Sequence, residues 1–187
     1  MSLQRLHSLS AYRFLESGPV VLVTTAADSR KNIMTLGFHM IIEHPGTLGV
    51  IIGPWDYSFQ LLRRSGACVI AIPAVDQAET VVDIGNCSGA EVDKFQRFGL
   101  TTQPADSGPA PLIQQCPVNI ECKVIDDSLV ERYNLFVLET QRIWVDNARS
   151  ERRTLHHNGD GTFTVAGETI NLQRRMVRWQ QFQGELK

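Results

Sequence analysis

Apolar positions along the chain fall in short runs separated by Gly, Pro and small polar residues, and the spacing within the runs changes from strand-like to helix-like and back. Residues 20–25 (VVLVTT) form a β-branched apolar run with no Gly or Pro inside it, which predicts a buried strand. The small, polar residues 26–31 predict a turn. Residues 32–42 resume an extended, mostly apolar pattern interrupted by Asn32, Thr35 and His39. A polar group buried in a strand needs a hydrogen-bond partner, or its burial costs roughly 1–3 kcal/mol. Neighbouring backbone can supply that partner, and so can a bound polar ring with donors and acceptors along its edge. Residues 46–52 (GTLGVII) are a further apolar run, entered through Pro45 and closed by Gly53-Pro54. The period then changes. In residues 55–64 Phe59 and Leu62 share a face, with Asp56 or Ser58 as the cap of a helix.

Residues 67–73 (ACVIAIP) read as a strand and 78–84 as a helix. A second helix is expected from Ser88 or Gly89 to Gly99, with Ser88 and Glu91 spaced as a capping box and Gly99 as its stop. The stretch 100–117, rich in Pro, Thr, Gln and Ala, reads as a surface loop. Residues 118–124 alternate as a half-buried strand does, and 134–140 with 142–145 form one long strand or two. Beyond residue 155, strands at 162–165 and 168–172 would flank a hairpin tip at Ala166-Gly167, after a strong turn signal at residues 158–161. At the other end, the three-residue spacing of Leu3, Leu6 and Leu9 suggests a short helix or an irregular lead-in, closed by Gly18-Pro19. This gives seven or eight short strands and two or three helices that do not alternate strictly. The expected class is mainly β with flanking helices, an antiparallel barrel rather than a doubly wound sheet.

Composition narrows the function classes. A length of 187 residues suits one domain, or one domain with an appendage. The formal net charge of −2 leaves no basic excess for a nucleic-acid backbone, so no nucleic-acid partner is expected. No stretch approaches 18 apolar residues and the N-terminus lacks a signal-peptide core, so no membrane association is expected. Cys68, Cys87, Cys116 and Cys122 show no CxxC spacing, which points to reduced thiols and a cytoplasmic protein without a cysteine metal site. Adjacent His156 and His157 would point opposite ways in a strand, so no metal is expected there either.

Seven segments in order resemble the flavin reductase-like proteins with an FMN-binding split barrel, and within them the flavoredoxin-type branch. They are PVVLVTT (19–25), KNIMTLGF (31–38), HPGTLGVII (44–52), DYSFQLL (56–62), GNCSGAEVDKFQRFGL (85–100), CPVNIECKV (116–124) and NLFVLETQRIWVD (134–146). The resemblance implies a six-stranded antiparallel Greek-key barrel, taken as residues 1–147; beyond it the pattern itself makes 148–187 a C-terminal hairpin and tail packing on the barrel or a dimer partner. It also implies a homodimer with FMN near the interface, electrons taken from NADH or NADPH, and a small-molecule or protein acceptor. Where the family often has Ser or Ala and then Trp after the Thr of its N-x-x-T segment, this chain has Leu36, Gly37 and Phe38. Where it commonly has Arg after the Ser-Gly pair, this chain has Ala90.

FMN offers a phosphate and an isoalloxazine. The head of the helix at 55–64 offers Tyr57 and Ser58 to a phosphate, with Arg63 a turn later as a cation; a cap and a packed ring would serve the helix equally well. For the ring edge, Asn32 carries a donor and an acceptor, Thr35 a hydroxyl, and the backbone of Ile33, Met34 and Thr35 further N–H groups. Cys87 and Ser88 in the Gly-rich turn, and Lys94 in VDKF, are the remaining cofactor-binding candidates. Cys87 otherwise serves as a small hydrophobe, and Lys94 as a solvated helix lysine. His39 is the one catalytic candidate, as a proton donor near the ring. No triad, carboxylate pair or GxGxxG segment is present. The expected activity is therefore an FMN-dependent NAD(P)H oxidoreductase, in which the cofactor carries the chemistry. The alternatives are an FMN-bound electron carrier and a flavin-binding module without its own nicotinamide turnover.

Overall fold

The computed structural model describes residues 3–11, 15 and 18–178. Its main sheet has eight strands, all pairs antiparallel: β1 (Leu3–Leu6), β2 (Val21–Ala27), β3 (Arg30–Leu36), β4 (His39–Glu43), β5 (Thr47–Ile51), β6 (Ala67–Ile72), β9 (Val118–Asp126) and β10 (Leu135–Asp146). The order is β3-β2-β6-β9-β10-β5-β4, and β1 pairs with the second half of β10. The twelve residues of β10 are one strand; register shifts near Val137 and Thr140 let it face β5 and then β1 while keeping β9 on its other side. The sheet curls around one apolar interior filled from alternate positions, including Val21, Val23, Leu48, Val50, Ile70, Ile120, Phe136 and Leu138. β3 and β4 end the path without pairing to each other, so the barrel is open between them.

The outward positions of the central strands are also buried, which explains why residues 20–25 read as a continuous apolar run. Leu22, Ile33 and Ala71 meet Val81 and Ile84 of the helix α2 (Ala78–Gly85) and Phe95 of the short helix α3 (Lys94–Arg97) in a second core. The expected surface loop 100–117 instead folds onto the sheet, with a small ladder of β7 (Thr102–Gln103) and β8 (Leu112–Ile113). Three buried polar side chains hold it there. Thr24 donates to the Pro111 carbonyl, Asn119 bonds both Ile113 N–H and C=O, and Glu121 accepts from the N–H groups of Asp106 and Ser107 and from the Trp144 indole. Burial pushes the Glu121 carboxyl up, but these donors and the Ser107 hydroxyl outweigh it and hold the group below its usual value.

Three local expectations are corrected. Residues 3–6 are a strand, because Leu6 and its neighbours complete the ladder on β10 rather than cover a helix face. The helix expected from Ser88 shrinks to α3: the Ser88 hydroxyl accepts from Ala90 N–H in a tight turn, and Asp93 is the true cap, accepting from Phe95 and Gln96 N–H. The terminal hairpin pairs β11 (Leu155–His157) with β12 (Phe163–Val165) around the Asn158–Gly161 turn, and 168–172 is not a strand. That hairpin lies on the barrel: Val20 N–H donates to the Leu155 carbonyl and Leu155 is buried, while in the segment before it Arg149 Nη2 donates to both carboxylate oxygens of Asp76 at 2.7 Å. Of the aromatics near the two ends, Tyr12, Phe14, Trp179 and Phe182 lie outside the described residues. Among the described residues no helix is long and apolar enough to cross a membrane.

Candidate functional site

The free edge of β3 is the foundation of the site. β2 and β3 are joined by a two-residue turn, Asp28-Ser29, with both residues at positive φ (50° and 63°), and the register runs Ala27↔Arg30, Thr25↔Asn32, Val23↔Met34. In such a hairpin the pair flanking the turn exchanges both backbone bonds, and bonded pairs then alternate along the strands. The backbones of Arg30, Asn32, Met34 and Leu36 therefore turn to β2. Those of Lys31, Ile33 and Thr35 turn away from it, to a side where no strand pairs among the described residues.

A groove follows this edge. Its first lobe, ≈ 300 Å³, has Asn32, Met34 and Thr35 along one wall, Trp55–Tyr57 at one side and Gly85–Gly89 with Glu91 and Lys94 at the other. A second lobe, ≈ 370 Å³, shares Trp55, Asp56, Tyr57 and Ser88 with the first and adds Arg30, Arg64, Gln60 and Asp28. The helix α1 (Tyr57–Ser65) starts where the lobes meet, so the unpaired N–H groups and positive end of its dipole lie there. It is held in place by Phe59 and Leu62, which plug the barrel interior, and ends at Gly66 in the left-handed region.

Asn32 is buried and its Nδ2 donates to Ser58 Oγ at 2.9 Å; Thr25 Oγ1 donates to the same hydroxyl at 3.0 Å. Asn32 Oδ1 is buried without a partner. Turning the amide over would only exchange which end is left unpaired. Gly89 lies against this oxygen: a Cβ there would stand 2.1 Å from Oδ1 and 2.7 Å from the Tyr57 ring. Lys94 is also buried, and its Nζ donates to the Ile84 carbonyl at the end of α2 (2.8 Å). Burial pulls its pKa below the usual lysine value, and the nearby Cys87 and Asp56 partly oppose that. Thr35 Oγ1 donates to the Val81 carbonyl at 2.5 Å.

The fold thus gathers Asn32, Met34, Thr35, Tyr57, Cys87, Ser88 and Lys94 around one lobe. Four sequence-derived candidates sit elsewhere. Ser58 lies behind the wall, fully buried, as the acceptor that positions Asn32. The Ile33 side chain faces the second core, and only its backbone reaches the free edge. His39 does not line the groove: its Nε2 lies 2.6 Å from the Pro19 carbonyl, to which the neutral ring donates its single N–H. Burial lowers its pKa, and the ring proton is already engaged, so proton donation from His39 to the groove is not supported. Arg63 also turns away, pairing with Glu131 at 2.8 Å, and the arginines that line the groove are Arg30 and Arg64. Sequence reasoning missed Gly89 and Trp55. The only trace of Trp55 was a large aromatic inside an otherwise turn-like Gly-Pro-x-Asp segment.

The sequence matches the family model described as flavin reductase like domain over residues 13–164. It is 29% identical over 178 residues to an uncharacterized protein, YddH, of Escherichia coli strain K12, covering 86% of this chain and 93% of that one. Among solved structures it superposes on an FMN-binding domain of a flavin reductases-like enzyme from Shewanella baltica OS155, with a TM-score of 0.85 and 24% identity over 92% of this chain and 98% of the other. It also superposes on the flavoredoxin of Desulfovibrio vulgaris (Miyazaki F), with a TM-score of 0.76 and 26% identity over 86% and 92%. The expected split-barrel architecture is therefore present, with eight strands in its sheet rather than six.

Proposed function

This chain belongs to the flavin reductase-like family, and from that premise we propose that it binds FMN along the free edge of β3 and works as an NAD(P)H-dependent oxidoreductase. The observation that carries this reading is the unpaired, buried Asn32 Oδ1 in the wall of the first lobe, with the Gly89 backbone packed directly against it. A buried amide with one end unsatisfied costs roughly 1–3 kcal/mol, a cost that a ligand edge bearing both donors and acceptors can offset. The first lobe suits the ring, with Asn32 and the outward backbone of Ile33 and Thr35 as hydrogen-bonding groups and Met34 as apolar packing. The second suits the phosphate: Arg30, Arg64 and the first N–H groups of α1 are its anion-binding groups. Arg64 already pairs with Asp28 at 2.6 Å, so phosphate would compete with a carboxylate that is itself half-open to water.

FMN, when bound, accepts a hydride from a reduced nicotinamide and passes electrons to an acceptor. The chain's own part would be positional: the start of α1 and the 85–94 segment line the first lobe on two sides, and the buried Lys94 ammonium in its lining would favour a reduced, anionic ring. Met40, Ile42 and Leu135 gather around Gly49 on the outer face of β4, β5 and β10. Met40 and Ile42 are exposed there, as is Phe38 just before β4. We read that face as the contact of a homodimer, with Phe38 linking it to the groove strand. The second reading, an FMN-bound electron carrier without its own nicotinamide turnover, draws on the likeness to flavoredoxin. Anaerobic addition of NADH and then NADPH to the FMN-loaded protein separates the two: bleaching within seconds supports the reductase, and bleaching only by dithionite supports the carrier.

A further inference from the structure

We propose that Trp55 is the stacking platform for the planar heteroaromatic ring of the second reactant, the partner that exchanges electrons with the bound cofactor. The inference rests on the FMN reading above and adds a specificity residue to it. Trp55 is 77% exposed, which is costly for the largest apolar side chain unless the open surface is used. Its ring is nonetheless held in place. A Cβ on Gly53 would stand 2.3–2.5 Å from three consecutive atoms of the six-membered ring, so the indole packs directly on the Gly53 backbone. The turn beneath it is locked from both ends: Asp56 N–H donates to the Gly53 carbonyl at 2.9 Å, and Gly53 N–H donates to Asp56 Oδ2 at 3.0 Å. Pro54 adds a fixed φ between them.

One side of the indole is therefore covered by backbone and the other is open. Trp55 is also common to both lobes, so the open surface stands at the mouth of the groove, over the junction of the ring and phosphate lobes. Of the groups already assigned to FMN, Asn32 on β3 and Lys94 are buried beside this open ring. A rigid aromatic surface at the entrance has the chemistry to take a second flat ring and no group that could exchange protons or electrons with it. The nicotinamide or adenine of the dinucleotide and the ring of a free flavin acceptor share that chemistry.

The test compares wild type, Trp55→Phe and Trp55→Ala, each loaded with FMN. FMN affinity is read by flavin fluorescence. The half-saturating concentrations of NADH, of reduced nicotinamide mononucleotide (which lacks adenine) and of riboflavin as acceptor are read by anaerobic stopped flow. We expect FMN affinity in Trp55→Ala to stay within about twofold of wild type, and one of the second-reactant constants to rise roughly tenfold, the size of a lost ring stack. The limiting rate should stay within about threefold, and Trp55→Phe should recover most of the loss. Weakening of NADH and the mononucleotide alike assigns the nicotinamide. Weakening of NADH alone assigns adenine, and of riboflavin alone the acceptor. Unchanged constants for all three, or a parallel loss of FMN affinity, overturn the proposal while leaving the FMN reading intact. A wild-type protein that does not hold FMN overturns both.

Discussion

Asn32 and Gly89 show how the site is built from single residues. Asn32 donates to Ser58 and leaves its acceptor unpaired, and Gly89, lacking a Cβ, packs directly against that acceptor. Gly89→Ala would place a methyl group against Asn32 and Tyr57. We expect FMN affinity to fall at least tenfold, with a stability loss of about 1–3 kcal/mol from overpacking; fluorescence titration and urea unfolding read the two effects separately. His39 gives a pH dependence. Burial, only partly offset by the bond to Pro19, sets its folded pKa below the ordinary value of 6.5. The unfolded chain therefore binds the proton first, so His39's contribution is complete above about pH 6.5 and is lost as pH falls toward the folded value. His39→Gln keeps a donor for Pro19 and cannot titrate, so its urea midpoint should fall less than that of wild type between pH 7.5 and 5.5. Equal falls would remove His39 as the cause. Asn32 and Thr35 were legible in the sequence because polar residues interrupt an apolar run there. Gly89 and Trp55 were not, because their meaning comes from neighbours 57 and 2 positions away that only the fold juxtaposes.

At the scale of elements, the site depends on the phase of one hairpin. Asp28 and Ser29 both adopt positive φ, and the two-residue turn they form decides that Ile33 and Thr35, rather than Met34, present backbone groups at the free edge. Ser29 sits in the left-handed region, where a side chain costs about 1 kcal/mol relative to glycine. Ser29→Gly should raise the melting temperature by roughly 2–4 °C without changing FMN affinity; a loss of stability would show that the Ser29 side chain carries an interaction outweighing the strain. The strands of the barrel were readable from their period because each faces an apolar interior. The 88–99 helix was misread because Ser88 and Glu91 imitate a capping box, while Asp93 provides the better cap five residues later. The loop 100–117 was misread because its anchors, Thr24, Asn119 and Glu121, lie on other strands, and a polar loop that lies on a sheet has no signature of its own.

For the whole molecule, the sheet is covered by helices on β2 and β3, by the 100–117 segment on β6, β9 and the far end of β10, and by the terminal hairpin near β2. The outer face around Met40, Ile42, Gly49 and Leu135 has no such cover among the described residues. If that face joins two copies, Ile42→Glu should shift the protein from dimer to monomer in sedimentation velocity while the far-UV spectrum stays unchanged; a wild-type monomer would contradict the homodimer. The central claim is simpler and can be measured before any variant is made. The stripped protein is titrated with FMN, and then NADH and NADPH are added without oxygen. We expect about one FMN per chain, with absorption bands near roughly 370 and 450 nm that bleach within seconds of nicotinamide addition. A protein that takes up no FMN under these conditions would contradict the assignment of the β3 groove as a flavin site.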